Sequence, residues 1–302
     1  MSDSFLQRLY AALPVVRELR QVRESVNRVE GRLAMLAQEA AHRHAHEVLL
    51  TSPRYQDPKR VTPHEGQVFS QSGEDGIVAE IFRRIGIGGR TFAEVGVGDG
   101  LENNTVCLLA QGWQGGWVDG NPDSARRIRA TFSRELEAGR LKFREAFVTR
   151  ENVAGLLTEL AVPAELDLLS LDIDLNTYWI WEGLAAYRAR VLVVEYNATW
   201  PPTVDWKAEY QASAVWDGSM HFGASLKAFE LLGRRLGYSL VGCDLGGANA
   251  FFVRNDLVQD RFSTPFTAEN HYEPARYWLG RRNGHPRAFR GDVATTDVSH
   301  GS

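Results

Sequence analysis

The chain has 302 residues, of which 44% are hydrophobic and 24% are charged, values ordinary for a globular protein of one large domain with an appendage or of two domains. Its formal net charge of −4 gives no electrostatic case for a nucleic-acid partner, and its two cysteines exclude a disulfide framework. The sequence shows neither an apolar run long enough to span a membrane nor a signal peptide at its start. We therefore expect a cytoplasmic protein that binds no nucleic acid.

A heptad pattern occupies the first part of the chain. Its apolar residues alternate at spacings of four and three, which places one narrow apolar stripe along a helix. They are Val15, Leu19, Val22, Val26, Val29, Leu33, Leu36 and Ala40. We expect residues 1–48 to form an N-terminal coiled-coil helix that joins copies of the chain into a homo-oligomer, and valine at most d positions favours more than two copies. The alternative is a helix packed against the chain's own globular domain.

A second apolar face lies within residues 1–14, where Phe5, Leu9 and Leu13 share one side of the predicted helix. Pro14 separates this face from the heptads. Such a face suits packing between subunits or contact with a membrane surface, and the first is favoured.

Strands and helices alternate after a proline-rich linker at residues 49–69. A capping-box pattern at 72–75 predicts a helix that ends at Ile85. Strands are predicted at 92–96, 116–119, 141–147, 166–172 and 190–196, and helices at 102–111, 122–138, 151–160 and 177–187. Continuous apolar strands indicate burial on both faces, so the alternation predicts a Rossmann-like, doubly wound, mostly parallel α/β sheet.

The last elements are a helix at 224–236 and two strands at 238–243 and 249–254, which predict an antiparallel hairpin at the sheet edge. The predicted globular domain spans residues 70–262. Residues 263–302 are expected to be a C-terminal extension that is partly disordered.

A glycine-rich turn follows the first predicted strand, in the segment TFAEVGVGDGLENNT at 91–105. Glycine at 96, 98 and 100 behind Glu94 lets backbone N–H groups approach a ligand closely. The dinucleotide fingerprint requires a third glycine at the position of Leu101, so the turn instead fits the nucleoside-binding turn of class I S-adenosylmethionine-dependent methyltransferases. Asp119, about 20 residues further on, is placed to accept hydrogen bonds from ribose hydroxyls. The alternative for Asp119 is a turn residue.

Polar residues gather at the carboxyl ends of the predicted strands, where open α/β sheets bind their ligands. The positions are Glu94, Asp119, Phe147, Asp172 and Glu195, with Asn197 just beyond the last strand. Oxygen ligands from Asp172, Glu195 and Asn197 describe a Mg²⁺ site, and Asp172 is a candidate catalytic residue there. The alternative is that Asp172 and Asp174 cap the helix that follows.

Residues 198–223 interrupt the alternation with a segment rich in tryptophan and tyrosine. Aromatic side chains of this kind favour sugar rings or other flat acceptors, so the segment is a candidate substrate cap. Its alternative is a second small core. His221 is the best candidate for a general base, and a solvated or core histidine is the competing interpretation.

Several segments in order resemble FkbM-like S-adenosylmethionine-dependent methyltransferases over residues 70–255. The similar segments are SQSGEDGI at 70–77, FAEVGVGDGLENNT at 92–105, LLSLDID at 168–174 followed by YWIWEGL, VVEYNA at 193–198, and GASL followed by GYSLVGCDLGGANAFFVR. The resemblance implies a Rossmann-like domain that binds S-adenosylmethionine and transfers a methyl group, usually to an oxygen of a sugar, glycan, polyketide or other small molecule.

The resemblance also implies a set of cofactor contacts, from Gln71, Glu94, Gly96, Gly98, Asp99, Asn104, Thr105 and Asp119, to which Phe147 is added from its place at a strand end. The implied metal arrangement is similar to that of catechol-type methyltransferases, although Asn197 lies two residues after Glu195 and not directly beside it. The expected function is therefore a metal-assisted O-methyltransferase. An N-methyltransferase of a small amine and a non-catalytic coiled-coil assembly protein are the alternatives.

Overall fold

A computed structural model of the protein describes residues 14–279 and 287–293. The chain divides into two compact units, one ending at Leu49 and the other beginning at Leu50. Helix α1 (Pro14–Arg43) and a π-helical continuation (His44–Leu49) form the described part of the first unit. No helix of the described ranges is both long and apolar enough to cross a membrane.

The predicted heptad stripe lies exposed along α1. Val26 is 48% exposed and Leu33 is 59% exposed, and the other large apolar heptad residues are similarly open. The large apolar residues of the stripe are therefore exposed among the residues that the structure describes. The second apolar face predicted within residues 1–14 lies outside the described residues, apart from Pro14.

The second unit alternates helices and strands as the apolar pattern predicts. Its strands are β1 (Thr91–Val95), β2 (Gln114–Asp119), β3 (Leu141–Glu145), β4 (Leu168–Leu171), β5 (Val191–Glu195), β6 (Tyr238–Cys243) and β7 (Asn249–Arg254). Its helices are α2 (Glu74–Ile85), α3 (Val106–Ala110), α4 (Pro122–Thr131), α5 (Ser133–Glu137), α6 (Val153–Glu159), α7 (Thr177–Gly183), α8 (Leu226–Leu236), α9 (Asn255–Val258) and α10 (Ala268–His271). Short 3-10 turns occupy Pro53–Gln56, Thr62–His64, Asp174–Asn176 and Tyr277–Leu279.

All seven strands join one sheet in the order β3-β2-β1-β4-β5-β7-β6. Strands β1 to β5 are parallel to one another, and β7 runs antiparallel to both β5 and β6. The predicted Rossmann-like sheet with a C-terminal antiparallel hairpin is thus confirmed. The strand order reverses between β1 and β4, and in such sheets the crevice at the carboxyl ends of the reversing strands is the usual ligand site.

Apolar side chains cover both faces of the sheet. Trp117 and Phe132 lie in the cluster on one face, and Trp181 and Phe229 lie in the cluster on the other. Burial of one such side chain contributes about 1.5–3 kcal/mol to folding. The two clusters make a rigid base beneath the strand ends.

Two predicted helices are shorter than their patterns suggest. The helix predicted at 102–111 begins only at Val106, because the buried Glu94 carboxylate accepts hydrogen bonds from the backbone N–H groups of Asn104 and Thr105. The helix predicted at 122–138 is interrupted at Phe132, which is fully buried and adopts a non-helical backbone.

The predicted capping box at Ser72 also differs in the structure. Gly73 precedes α2 with a φ of +126°, and no side chain caps the helix from that position. Instead the Glu74 carboxylate accepts from the backbone N–H groups of Ser72 and Gly73 at 2.7 and 2.8 Å. Asp75 accepts in the same way from Val68, Phe69 and Ser70. The first turn of α2 therefore holds the segment before it.

Residues predicted as a linker and as a C-terminal extension belong to the core of the second unit. Val61 is fully buried, and the Tyr55 hydroxyl donates to Glu273 at 2.7 Å. Further along, Phe289 is buried and packs on Phe132 with the ring centroids 4.8 Å apart. Arg287 donates to the carbonyl oxygen of Ser70 at 2.8 Å. Residues 294–302, part of the predicted disordered end, lie outside the described residues.

Candidate functional site

An open cleft of about 630 Å³ lies at the carboxyl ends of β1, β2 and β4, at the point where the strand order reverses. It is lined by Gly96, Gly98, Val118, Asp119, Gly120, Asn121, Pro122, Ser124, Phe147, Val148, Asp172, Ile173, Asp174, Asn176, Ala214, Val215 and Trp216. Five of the residues predicted for the site therefore share one space: Gly96, Gly98, Asp119, Phe147 and Asp172.

The glycine turn forms the floor of this cleft. Gly96 has a φ of +84°, and a Cβ atom placed on it would lie 1.6 Å from the backbone oxygen of Asp172. Gly98 has a φ of +54°, and a Cβ atom there would meet nothing within 4 Å, because that side faces the cleft. Glycine is thus required at 96 by the neighbouring strand end and at 98 by backbone conformation, with open space for a ligand above.

Asp119 connects the turn to the cleft wall. One carboxylate oxygen accepts from the backbone N–H groups of Val97 and Gly98 at 3.1 and 2.9 Å, and the other accepts from Asn121 at 2.8 Å. A carboxylate oxygen has more than one acceptor position, so Asp119 orders the turn and still presents oxygen to the cleft.

Glu94, Asn104 and Thr105 lie beneath the turn and outside the lining of the cleft. The Glu94 carboxylate accepts from the Thr105 hydroxyl at 2.6 Å and from the Ser170 hydroxyl at 2.9 Å, besides the two backbone bonds described above. Burial raises the pKa of Glu94 to about 7, and these hydrogen bonds oppose that shift. The three residues stiffen the segment after the turn, and their direct contact with a cofactor stays a prediction.

Gln71 and Asp99 also lie outside the cleft lining. Asp99 accepts from the backbone N–H of Leu101 at 3.1 Å and pairs with Arg127 at 3.5 Å. The backbone carbonyl of Gln71 accepts from the Gln67 side chain. Their predicted roles at the cofactor are not tested by these contacts.

Three acids converge next to the glycine turn. Asp172, Asp174 and Glu195 each present a carboxylate oxygen within 4.8 Å of the other two. Asp172 opens to the cleft on one side and is crowded by protein on the others, so burial, and then the charge of Asp174, raises its pKa. Burial, and then the charge of Asp172, raises the pKa of Glu195 well above its usual range.

The acid cluster fits a divalent cation. The Glu195 Oε2 atom is buried and has no hydrogen-bond partner, so one lone-pair donor of the cluster is unused within the protein. Hard oxygen ligands from several carboxylates are the donor set that Mg²⁺ and related ions prefer. The capping alternative is not seen, since no side chain caps the turn at Asp174–Asn176 or helix α7.

The structure brings Asp174 to the other two acids, and the predicted ligand Asn197 makes other contacts. The Asn197 side chain donates to the carbonyl oxygens of Met220 and Phe222 at 2.8 and 3.0 Å and accepts from the backbone N–H of Thr199 at 3.1 Å. This amide therefore holds the two ends of the aromatic segment together, and its predicted role as a metal ligand remains a prediction. The aspartate pair at spacing two after β4 was the available signal for Asp174.

The aromatic segment at 198–223 forms both a small packed cluster and a wall of the cleft. Trp200 and Trp206 stack with their centroids 4.9 Å apart, while the half-exposed Trp216 lines the cleft. His221 is exposed, lies edge-on to Trp206 at 6.1 Å and is not part of the cleft lining. The general-base role of His221 stays a prediction.

No protein-family model matches the chain, and no curated protein matches it. Among solved structures, it is similar to the N-terminal domain of EvdMO1 with SAH bound, at 12% identity over 63% of this chain and 80% of that one, with a TM-score of 0.40. It is also similar to the methyltransferase domain of bacterial CtHen1-C (16% identity, 61% and 97% of the two chains, TM-score 0.37). An O-methyltransferase from Bacillus cereus in complex with SAH is a third (12% identity, 55% and 76%, TM-score 0.35). Two of these three structures are described as methyltransferases and two of them hold SAH, and at such scores the likeness assigns no activity to this chain.

Proposed function

We propose that the protein is an S-adenosylmethionine-dependent O-methyltransferase that acts on a hydroxyl of a sugar, glycan or natural product. The observation that carries this proposal is that the Gly96–Gly98 turn lines one cleft together with Asp172 and Asp174, two acids of the cluster, at the reversal of strand order. A cleft of this volume is within the usual range for small-molecule sites. The motifs that resemble FkbM-like methyltransferases supply the same residues.

Several groups that line the cleft bind different parts of the cofactor in this proposal. The open side of Gly98 lets the nucleoside approach the turn closely, and the Asp119 carboxylate, which already accepts from the N–H groups of Val97 and Gly98, has further acceptor positions for ribose hydroxyls. Phe147, which is 49% exposed and lines the cleft, offers an aromatic face to the flat base. With the nucleoside so placed, the methyl-bearing end of the cofactor points towards Asp172.

Methyl transfer to oxygen requires that the acceptor hydroxyl be held in line and lose its proton. Asp172, which lines the cleft, serves this step, because a carboxylate whose pKa is raised by its surroundings accepts a proton more readily than one in water. When bound at Asp172, Asp174 and Glu195, a divalent ion supplies Lewis acidity that lowers the pKa of the acceptor hydroxyl. Trp216 covers the cleft and limits the access of water.

Calorimetry of the full chain with S-adenosylhomocysteine tests the proposal. We expect one binding site per chain, lost in Gly98→Val and retained in Asp172→Asn. Failure of the wild-type protein to bind would support the non-catalytic assembly protein instead. Methyl transfer to amines that does not change when a chelator is added would support the N-methyltransferase alternative. Loss of methyl transfer on addition of chelator, and its recovery with Mg²⁺, would support transfer to oxygen.

We further propose that the helix α1 joins copies of the chain. Its apolar residues repeat at heptad spacing and are exposed, and an isolated helix with a bare apolar stripe is marginal in water. Parallel copies bury the same stripe against one another and place Glu18 opposite Arg23 of a neighbouring helix as an ion pair. Light scattering of the full chain tests this, and a monomer contradicts it.

A further inference from the structure

Asn249 faces Glu195 across the antiparallel pair of β5 and β7. The next pair along these strands is Tyr196 and Ala248. Tyr196 donates its backbone N–H to the carbonyl oxygen of Ala248 at 2.9 Å, so Tyr196 and Ala248 are a hydrogen-bonded pair. Pairs alternate along an antiparallel ladder, so Glu195 and Asn249 form a non-hydrogen-bonded pair. Side chains of such a pair are on the same face of the sheet, with Cβ atoms about 4.5–5.5 Å apart.

Both of these facing residues carry a buried oxygen without a partner. Glu195 Oε2 and Asn249 Oδ1 are inaccessible to solvent and accept no hydrogen bond, and Asn249 as a whole is only 6% exposed. Buried polar atoms are nearly always paired. Two unpaired acceptors side by side indicate a missing donor or a cation that both of them contact.

The orientation of the Asn249 amide is fixed from the other side. Its NH₂ group donates to Glu74 Oε1 at 2.7 Å. Glu74 is itself held, because its second oxygen accepts from the backbone N–H groups of Ser72 and Gly73. Since a carboxylate accepts hydrogen bonds, the NH₂ group must face Glu74, and the amide oxygen is turned away from it.

We propose that the amide oxygen of Asn249 is a ligand of a divalent cation bound by Asp172, Asp174 and Glu195. This inference rests on the acid site of the proposed function and adds to it a fourth protein ligand from β7. It assigns to Asn249 the amide role that the sequence predicts for Asn197, whose amide is occupied by the aromatic segment. Glu74 is then a positioning residue that orients a ligand from the second layer, as groups behind metal ligands commonly do.

The choice of a hard divalent cation follows from the donor set. Three carboxylates and one amide oxygen, with the cleft open beside them, leave positions for water and an acceptor. Mn²⁺ prefers the same oxygen ligands and is paramagnetic, so it serves as the probe.

Titration of the full-length protein with Mn²⁺, read by the decrease in free-ion electron paramagnetic resonance signal, tests the proposal. We expect Asn249→Ala to weaken Mn²⁺ binding by at least about tenfold. Asn197→Ala, the matched control, removes a neighbouring buried amide whose oxygen already accepts from the backbone N–H of Thr199, and should leave Mn²⁺ affinity within about twofold. Equal effects of the two variants would overturn the proposal.

A second test is needed in case the Asn249→Ala protein does not fold. In the double variant Asn249→Asp with Glu74→Gln, the new amide at position 74 can donate to the new carboxylate at position 249, so the shape, the hydrogen bond and the total charge are kept while one negative charge moves to the metal ligand. Mn²⁺ should then bind at least about threefold more tightly, since affinity rises with ligand charge. Unchanged affinity in that variant overturns the inference. Each titration is accompanied by calorimetry with S-adenosylhomocysteine. If the protein binds this cofactor product but not Mn²⁺, the inference about Asn249 is wrong and the proposed function stands. If Mn²⁺ binding depends on Asn249 but the cofactor product does not bind, the proposed function is wrong and the inference stands.

Discussion

Two glycines two residues apart should respond to alanine in different ways, and the difference tests the geometry of the turn. In Gly96→Ala the new Cβ atom would lie 1.6 Å from the Asp172 backbone oxygen and 2.6 Å from its carbonyl carbon. Both are backbone atoms of a strand end, so neither moves cheaply. In Gly98→Ala the new Cβ atom meets nothing within 4 Å and projects towards the cleft.

The expected magnitudes follow from these contacts. A non-glycine residue in the left-handed region costs about 1–2 kcal/mol, and both positions pay this. Overpacking against a fixed neighbour lowers the unfolding free energy further, by about 1–3 kcal/mol or more, and this cost applies only to Gly96→Ala. We therefore expect Gly96→Ala to lose at least about 3 kcal/mol of unfolding free energy, and Gly98→Ala to lose about 1–2 kcal/mol.

Urea unfolding and calorimetry with S-adenosylhomocysteine separate the two effects. Gly98→Ala should stay folded and bind the cofactor product at least about tenfold more weakly, which is about 1.4 kcal/mol. Wild-type affinity in a folded Gly98→Ala protein would refute the assignment of this turn to the cofactor. Equal stability of the two variants would refute the close approach of Gly96 to the end of β4.

Three further predictions concern catalysis, pH and assembly. Asp172→Asn should lower methyl transfer by about 10²–10⁴-fold in a turnover assay while keeping cofactor affinity, because the carboxylate acts on the acceptor. Burial lowers the pKa of His271 from 6.5 to about 3, so the unfolded chain takes up a proton that the folded one refuses. Stability should therefore fall as the pH drops below 6.5, by about 2 kcal/mol at pH 5, and urea unfolding of His271→Gln should lack that part of the slope. Val26→Asp with Leu33→Asp should convert an oligomer to monomers in light scattering without loss of cofactor binding, and an unchanged mass would exclude α1 as the contact.

The sheet could be predicted from the sequence because its strands are apolar throughout and separated by helical patterns. Strand ends follow directly from strand limits, and so the sequence predicts Asp119 and Asp172 at one edge of the sheet, where the structure has them. The glycine turn was recognisable because left-handed conformations and close backbone approach leave glycine as the residue that fits. Periodicity and backbone sterics are local properties, and these features depend on little else.

Features that depend on distant partners could not be predicted in this way. Asp174 has a backbone φ of +53° in the structure, and its carboxylate lies in the acid cluster. Its sequence context instead predicts a helix cap. Asn249 reaches Glu195 only through the register of β5 with β7, which no pattern in either strand specifies. Val61 and Phe289 are isolated buried apolar residues in polar segments. One isolated residue shows no helical or strand periodicity, so its burial cannot be predicted from a pattern.

The contact of Phe289 with Phe132 has a consequence for the order in which the protein matures. Phe132 and Trp117 lie directly under Gly100, so their rings support the turn from below, and Phe289 closes that stack from a segment made about 150 residues later. A chain still emerging from the ribosome has every strand of the sheet before it has this support. In the nascent chain the glycine turn therefore gains its full support only after the strands of the sheet have been made and Phe289 has followed them.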